Sequence, residues 1–562
     1  MKNFVLLLAM TLWLLASCED KHPKADLVIF NATIHTLNLK EPKAEAVAVK
    51  DGKIVYVGNN LNANNWLSDS TKVLDLKNKT IIPGLIDGHA HLMGIGYNLM
   101  NLDLSKTESF EQILEAVKEK VAGAKKGEWI IGRGWHQEKW DSLPVLTVQG
   151  FPIHDSLSAI SPNNPVVLSH ASGHLVFVNQ KAMKLAKITK KTENPEGGEI
   201  LRDEDGKLTG IFNEAAVDLI YRKIPEPTDE KNIQALNMAI EECLKNGITA
   251  LHDAGVSQRE ISLYESFYNQ GMLNMRIYAM LDGSDRDLLK LWFKKGPMTD
   301  NEFLQVRSIK IYADGALGSR GALLMEEYSD APGEMGKKIT PPDEILRITE
   351  KAFETGFQVA THCIGDRANK ALLNIYKIVL NSDTTKANPR FRIEHAQHLT
   401  EDDIPRFGEM GIIPAMQAIH MSSDRPWAIH RLGEERIKEG AYVWRKLIDS
   451  GARISNGTDA PVEPVNPIAN FYAAVTRKTL DGDPDGGYEP DQKMTREEAL
   501  LSLTYNNAYA SFQEDIKGKI EAGKLADFTV LSQDIMTVDE DEILNTEVEY
   551  TIVNGEIKYQ KN

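Results

Sequence analysis

Short stretches of alternating apolar and polar residues stand at both ends of the chain. Between them lies a long middle in which apolar runs alternate with segments of helical period. From Ala25 to Thr80 the runs "ADLVIFNATIHTL", "AEAVAVKDGKIVYVG" and "TKVLDLKNKTIIPG" read as β-strands, with "KDGK" as a hairpin turn. The far end repeats the pattern in "GKLADFTVLSQD" and in "EVEYTIVNGEIKYQ", where "VNGE" is the turn. The two ends are expected to meet in one small composite β-sandwich, residues 25–80 plus 518–562, completed only once the middle has folded.

The middle, residues 81–517, repeats an apolar strand followed by an amphipathic helix, as parallel βαβ units do. Strand candidates end at His89–His91, in "GITALHDAG" (247–255), "MRIYAML" (275–281), "VRSIKIYADG" (306–315), "GFQVATHCIGD" (356–366), "FRIEHAQHL" (391–399), "GIIPAMQAIH" (411–420) and "ARISNGTDAP" (452–461). Eight such strands predict an α/β fold closed as a (β/α)8 TIM-like barrel, with polar residues at the C-terminal strand ends where such barrels keep their chemistry. An open doubly wound sheet is the alternative, and it would not gather eight strand ends around one axis. Far more chain separates His91 from the second strand than a crossover needs. The excess, about residues 120–240, predicts an inserted subdomain over the barrel mouth that shapes a substrate pocket.

A hydrophobic fraction of 42% and a charged fraction of 26% are those of an ordinary globular protein, and the net charge of −17 argues against a nucleic-acid partner. The start of the chain changes the picture more. "MKNFVLLLAMTLWLLASCED" has Lys2, an apolar run too short to span a bilayer comfortably, and "LASC", which resembles a bacterial lipobox. Residues 1–17 are therefore expected to be a lipoprotein signal peptide, Cys18 the acylated residue and 18–24 a tether. An ordinary secretory signal is the alternative. That reading anchors an exported protein to a bacterial membrane through lipid, on a periplasmic or cell-surface face. Only Cys243 and Cys363 then remain, and a disulfide framework is not expected.

In "GLIDGHAHL" His89 and His91 are two apart on a strand, so their side chains share a face with Cα atoms about 6–7 Å apart, close enough for two imidazoles to converge on one metal ion. Paired core histidines remain the competing explanation at that strand alone. Three other strand ends carry His362, His395 and Asp459. Lys310, in the middle of "SIKIYADG", must be paired, neutral or chemically modified, because desolvation disfavours a buried ammonium.

Together "GLIDGHAHL", "SIKIYADGALGSR", "VATHCIGDRA", "RIEHAQHL" and "SNGTDAPV" resemble the metal-site strands of the amidohydrolase superfamily. The insert, with "GRGWHQEKW", "ASGHLVFVN" and "DGKLTGIFNEAA", is similar to its YtcJ-like branch, amidohydrolase family 3. The resemblance implies one or two divalent ions, best zinc, with manganese or iron as alternatives. His89, His91 and Asp459 would hold the first, His362 and His395 the second, with Lys310 bridging as an N6-carboxylated lysine. It further implies hydrolysis of an amide, cyclic amide or related non-peptide C–N bond in a small organic substrate. A metal-activated hydroxide would attack, and Asp459 would shuttle the proton. An esterase using the same site, or a ligand-binding lipoprotein without catalysis, are the alternatives, and a homodimer is left open.

Weaker candidates surround this set. His174 and Arg320 are expected to contact substrate, against a structural histidine and a loop ion pair. Trp135 and Trp140 would line an apolar pocket or pack in a core. Asp314, His252 and Asp253 read as supports, and His398 and His420 as residues of the pocket rim.

Overall fold

The computed structural model describes residues 23–137, 140–141, 144–170, 175–195, 198–385 and 388–562. The signal segment, Cys18 and His174 lie outside these residues. No helix among them is long and apolar enough to cross a membrane. They divide into two compact units, one formed by the chain up to Leu92 together with Ile240–Asn562, the other by Met93–Ala239.

The first unit holds an eight-stranded parallel sheet: β1 (Leu85–Ala90), β2 (Ile248–Val256), β3 (Arg276–Asp282), β4 (Leu304–Tyr312), β5 (Gln358–Cys363), β6 (Arg392–His395), β7 (Ile413–Met416) and β8 (Ser455–Asn456). Each strand pairs with its successor, so the spatial order equals the chain order. The sheet curls until its ends nearly meet. Just beyond β8 the Asp459 N–H donates to the His89 carbonyl at 2.7 Å, and the His91 N–H donates to the Ala460 carbonyl at 2.8 Å. Gly457 allows that approach, because a Cβ there would lie 2.3 Å from the His89 nitrogen. Asp87 clamps the same junction, accepting the Thr458 N–H at 3.0 Å and the Thr458 hydroxyl at 2.6 Å. This is a TIM-like barrel, with its interior filled by side chains.

Two strands are shorter than their apolar runs predict. β8 keeps two residues, because the chain turns inward from Gly457 to meet β1. β7 ends at Met416 rather than His420, and the helix Ala418–Leu432 begins. Its first N–H groups, on Ala418 and Ile419, are accepted by the side chains of Asn456 and Asn470 at 3.1 and 2.9 Å, which supplies the cap that the sequence around Gln417 lacks.

The chain ends form two sheets around one core. A four-stranded sheet contains Leu27–Phe30 and Ala46–Lys50. A six-stranded sheet interleaves Thr33–His35 and Thr80–Pro83 from the start with Phe528–Leu531 and Val548–Val553 from the end. Ile29, Val47 and Ile81 pack against Phe528 and Ile552 between them. Asp51–Gly52 and Asn554–Gly555 both turn with positive φ, as two-residue hairpin loops demand. Arg276 of β3 joins this sandwich to the barrel through Asp527, at 2.7 and 2.9 Å, both side chains buried.

The second unit contains a six-stranded sheet running from Gly198–Arg202 through Leu208–Glu214, Leu175–Val178, Val166–His170 and Ile130–Trp135 to Leu102–Asp103. It is a compact insertion after β1, and it starts earlier than the periodicity suggested.

Candidate metal centre

His89, His91 and Asp459 meet at the barrel junction. The His89 Nε2 lies 3.5 Å from Asp459 Oδ1, and the His91 Nε2 lies 3.2 Å from the same oxygen. His395 ends β6, its ring 5.1 Å from that of His89 and 4.4 Å from that of His362. His420, in the first turn of the helix after β7, brings its Nε2 to 3.8 Å from Asp459 Oδ2. Two sets of three side chains thus place their ligand atoms within 4.8 Å of one another: His89, His91 and Asp459, and His395, His420 and Asp459. Asp459 at φ 57° and His395 at φ 73° hold left-handed backbone conformations that cost a non-glycine residue free energy. Both residues turn into the cluster at that cost.

The other ring nitrogens show which way the lone pairs point. His89 Nδ1 donates to Glu394 Oε2 in a short contact. His91 Nδ1 donates to the Ala254 carbonyl at 2.9 Å. His395 Nδ1 donates to Gln417 Oε1 at 2.7 Å, and the Gln417 amide N–H is held by the Ala415 carbonyl at 3.2 Å. With Nδ1 of each ring held by an acceptor, the Nε2 edges of His89 and His91 face Asp459 Oδ1, and His395 shares the Asp459 carboxylate with His420. Imidazole with carboxylate is a donor set suited to zinc-like divalent ions. The residues therefore fit a metal ion.

Burial would lower His91, yet its hydrogen bond with Asp459 and that carboxylate's charge raise it above the ordinary imidazole value. Burial, reinforced by the Lys310 charge, pushes His89 down to about 4, and burial with Lys310 takes His362 to about 3. Burial also drives His395 well below the ordinary imidazole value. Burial would raise Asp459, yet its hydrogen bond with His91 and the surrounding imidazoles hold it well below the usual carboxylate range. Lys310 is buried on β4 with Nζ 3.0 Å from His89 Nε2, and desolvation lowers it to about 8 against the pull of Glu394 and Asp459. His362, next to His395, has a buried Nε2 with no hydrogen-bond partner among the described residues.

Behind the cluster stands a group that the sequence reading missed. Glu394 receives His89 Nδ1 on one oxygen and the Arg392 guanidinium on both, at 2.7 and 3.0 Å. Arg392 also reaches His252 Nδ1 at 2.8 Å and the Gly88 carbonyl at 2.7 Å. The signal was an arginine and a glutamate two apart in "RIEH", on one face of a strand whose residues are all buried. Gln417 carried no comparable signal.

Other candidates fall elsewhere. Trp135 does not line a pocket: it is fully buried in the core of the second unit, stacked on Trp140, with its indole N–H on the Leu168 carbonyl at 2.9 Å. Arg320 forms the loop ion pair, its Nε and Nη2 donating to Asp330 at 3.1 and 2.9 Å. Asp314 organises a loop, accepting the backbone N–H groups of Leu323, Ile364 and Gly365. Asp253 fixes the turn after β1 by accepting the Leu92 N–H at 2.9 Å and the Tyr264 hydroxyl at 2.7 Å. His398 brings its Nε2 to 3.6 Å from Asp366 Oδ2. Cys243 and Cys363 are buried free thiols.

Residues 72–559 match the amidohydrolase family described as Amidohydro_3. The protein YtcJ of Bacillus subtilis (strain 168) is 34% identical over 539 residues, covering 94% of this chain and 98% of that protein. An N-substituted formamide deformylase of Arthrobacter pascens is 28% identical over 549 residues, covering 95% and 98%. Among solved structures, an uncharacterized metal-dependent hydrolase from Pyrococcus horikoshii OT3 superposes with a TM-score of 0.75 at 28% identity, covering 92% of this chain and 99% of that one.

Proposed function

This chain belongs to the amidohydrolase family, and from that premise we propose that it hydrolyses the amide or cyclic-amide bond of a small organic molecule, with Asp459 carrying the proton. It is a metal-dependent hydrolase acting on C–N bonds other than peptide bonds. The observation that carries the finer reading is the convergence of His89, His91 and His395 on the Asp459 carboxylate, each ring oriented by an acceptor at its Nδ1.

In this reading His89, His91 and Asp459 hold one ion, zinc by donor type, and His362 and His395 contribute to a second. A divalent ion held there supplies Lewis acidity, which polarises a carbonyl and brings the pKa of water toward about 7. The chain's own residues do the rest. Asp459 Oδ1 faces His89 and His91, which leaves Oδ2 to take the proton of the attacking water and return it to the departing nitrogen. An amine leaves poorly without that proton. Lys310 is the bridging candidate: its lowered pKa supplies neutral amine, whose nitrogen can add to CO2 with loss of a proton to give a carbamate. The N-substituted formamide deformylase among the relatives supports a small amide as substrate class.

The test is turnover by the zinc-loaded protein of a panel of N-substituted formamides, other small amides, cyclic amides and matched esters. Amide hydrolysis abolished by a chelator and restored by zinc is expected. Ester turnover without any amide turnover would overturn the reading.

A further inference from the structure

His420 stands apart from the other imidazoles at the centre. His89, His91 and His395 each have Nδ1 fixed on an acceptor. No hydrogen bond of either His420 ring nitrogen is found among the described residues, and its buried Nε2 has no partner. Its placement is nonetheless firm. The helix Ala418–Leu432 is anchored at its first turn by Asn456 and Asn470, and the same turn carries Gln417, which orients His395. The His420 and His395 rings lie nearly parallel, 14° apart, with centroids 6.0 Å apart.

The two oxygens of Asp459 separate the roles. Oδ1 faces His89 and His91 at 3.5 and 3.2 Å, whereas Oδ2 faces His420 Nε2 at 3.8 Å. An imidazole nitrogen opposite an ionised carboxylate, with no acceptor holding the proton on its other nitrogen, favours the tautomer with the proton on the facing atom. The distance is too long for a direct hydrogen bond and leaves space for a third polar atom beside both groups. A proton on His420 Nε2 would stand on the Oδ2 side of Asp459, on the oxygen that His89 and His91 leave free.

We propose that His420 is a catalytic residue that donates its Nε2–H to the carbonyl oxygen of the substrate and stabilises the oxyanion formed on attack, rather than serving as a metal ligand. The assignment rests on the amide-hydrolase reading above and adds a fixed donor to it. Such a donor acts where charge develops, so its removal lowers kcat and leaves KM little changed.

The test compares the zinc-loaded wild type with His420→Ala and His420→Gln, using the fastest amide of the panel and its matched activated ester, with metal content measured on each preparation. The expected result is a loss of about a hundred- to a thousand-fold in kcat for His420→Ala on both substrates, with zinc content unchanged. Partial recovery is expected in His420→Gln, whose side-chain amide can still donate. Loss of zinc from His420→Ala would make the residue a ligand, and a loss confined to the amide would make it an acid for the leaving group. Either result overturns the proposal, as does an unchanged kcat. A wild type that holds zinc but hydrolyses neither compound brings down the functional reading itself, and this inference with it.

Discussion

Asp459 donates its backbone N–H to the His89 carbonyl at 2.7 Å while the two side chains approach to 3.5 Å. Closing the barrel and assembling the site are thus one structural event. The junction that joins the first strand to the last also sets the carboxylate against the imidazoles, so a change that loosens the closure should disturb the site directly.

Glu394 tests the support behind the ligands. Replacing it with Gln keeps an acceptor for His89 Nδ1 but removes the charge opposite Arg392. Zinc affinity should fall about 10- to 100-fold, as for other partners of ligating histidines. Glu394→Ala also leaves Arg392 buried without its ion partner and should cost about 3–5 kcal/mol of stability. Zinc titration and urea unfolding separate the two effects. Unchanged affinity in the Gln variant would contradict the orienting role.

The pH dependence of metal-free stability has a definite sign. His89 titrates at about 4 in the fold, burial being the main cause, against an ordinary value near 6.5. Below about pH 6.5 the unfolded chain takes up the proton first, so this contribution is complete above that pH and is lost as pH falls toward 4. The loss is on the order of a few kcal/mol. Asp87 and Asp253, raised by burial to about 6 and about 7, act in the opposite direction, because the fold keeps their protons when the unfolded chain has released them. They are present in both the wild type and His89→Asn, so the difference between the two isolates His89. The chelated wild type should lose stability more steeply than His89→Asn between pH 7 and pH 4.5, measured by urea unfolding; equal slopes would count against a buried neutral imidazole.

The Arg276–Asp527 pair tests the joint between barrel and sandwich. Asp527 also accepts the Asn554 N–H at 2.9 Å, so it ties β3 to the last hairpin of the chain. Asp527→Ala should destabilise the protein by about 3–5 kcal/mol through the stranded guanidinium, while kcat of the folded fraction stays within a few-fold. A large loss of kcat at full folding would show that the sandwich takes part in the reaction.

Much of this was legible in the sequence because polar residues ending apolar runs are conspicuous. His89, His91, His362, His395 and Asp459 stood out at strand ends, and Lys310 stood out as a charge inside one. Long-range partners were not legible. The acceptor that engages Arg320, Asp330, lies ten residues away across a loop, and no local pattern marks that pairing. Trp135 sits in a strand whose neighbours could only be known once the sheet of the second unit was assembled. Glu394 was hidden differently: its partners become visible only in a closed barrel with a filled interior, where the carboxylate meets Arg392 and His89.

Metal content is the most direct measurement of the central claim. Purified protein, equilibrated with zinc and freed of excess, should retain at least one ion per chain by elemental analysis. His91→Ala and Asp459→Ala should lose it while keeping the wild-type circular dichroism spectrum. A wild type that retains no divalent ion, or variants that bind zinc as tightly as the wild type, would contradict the account.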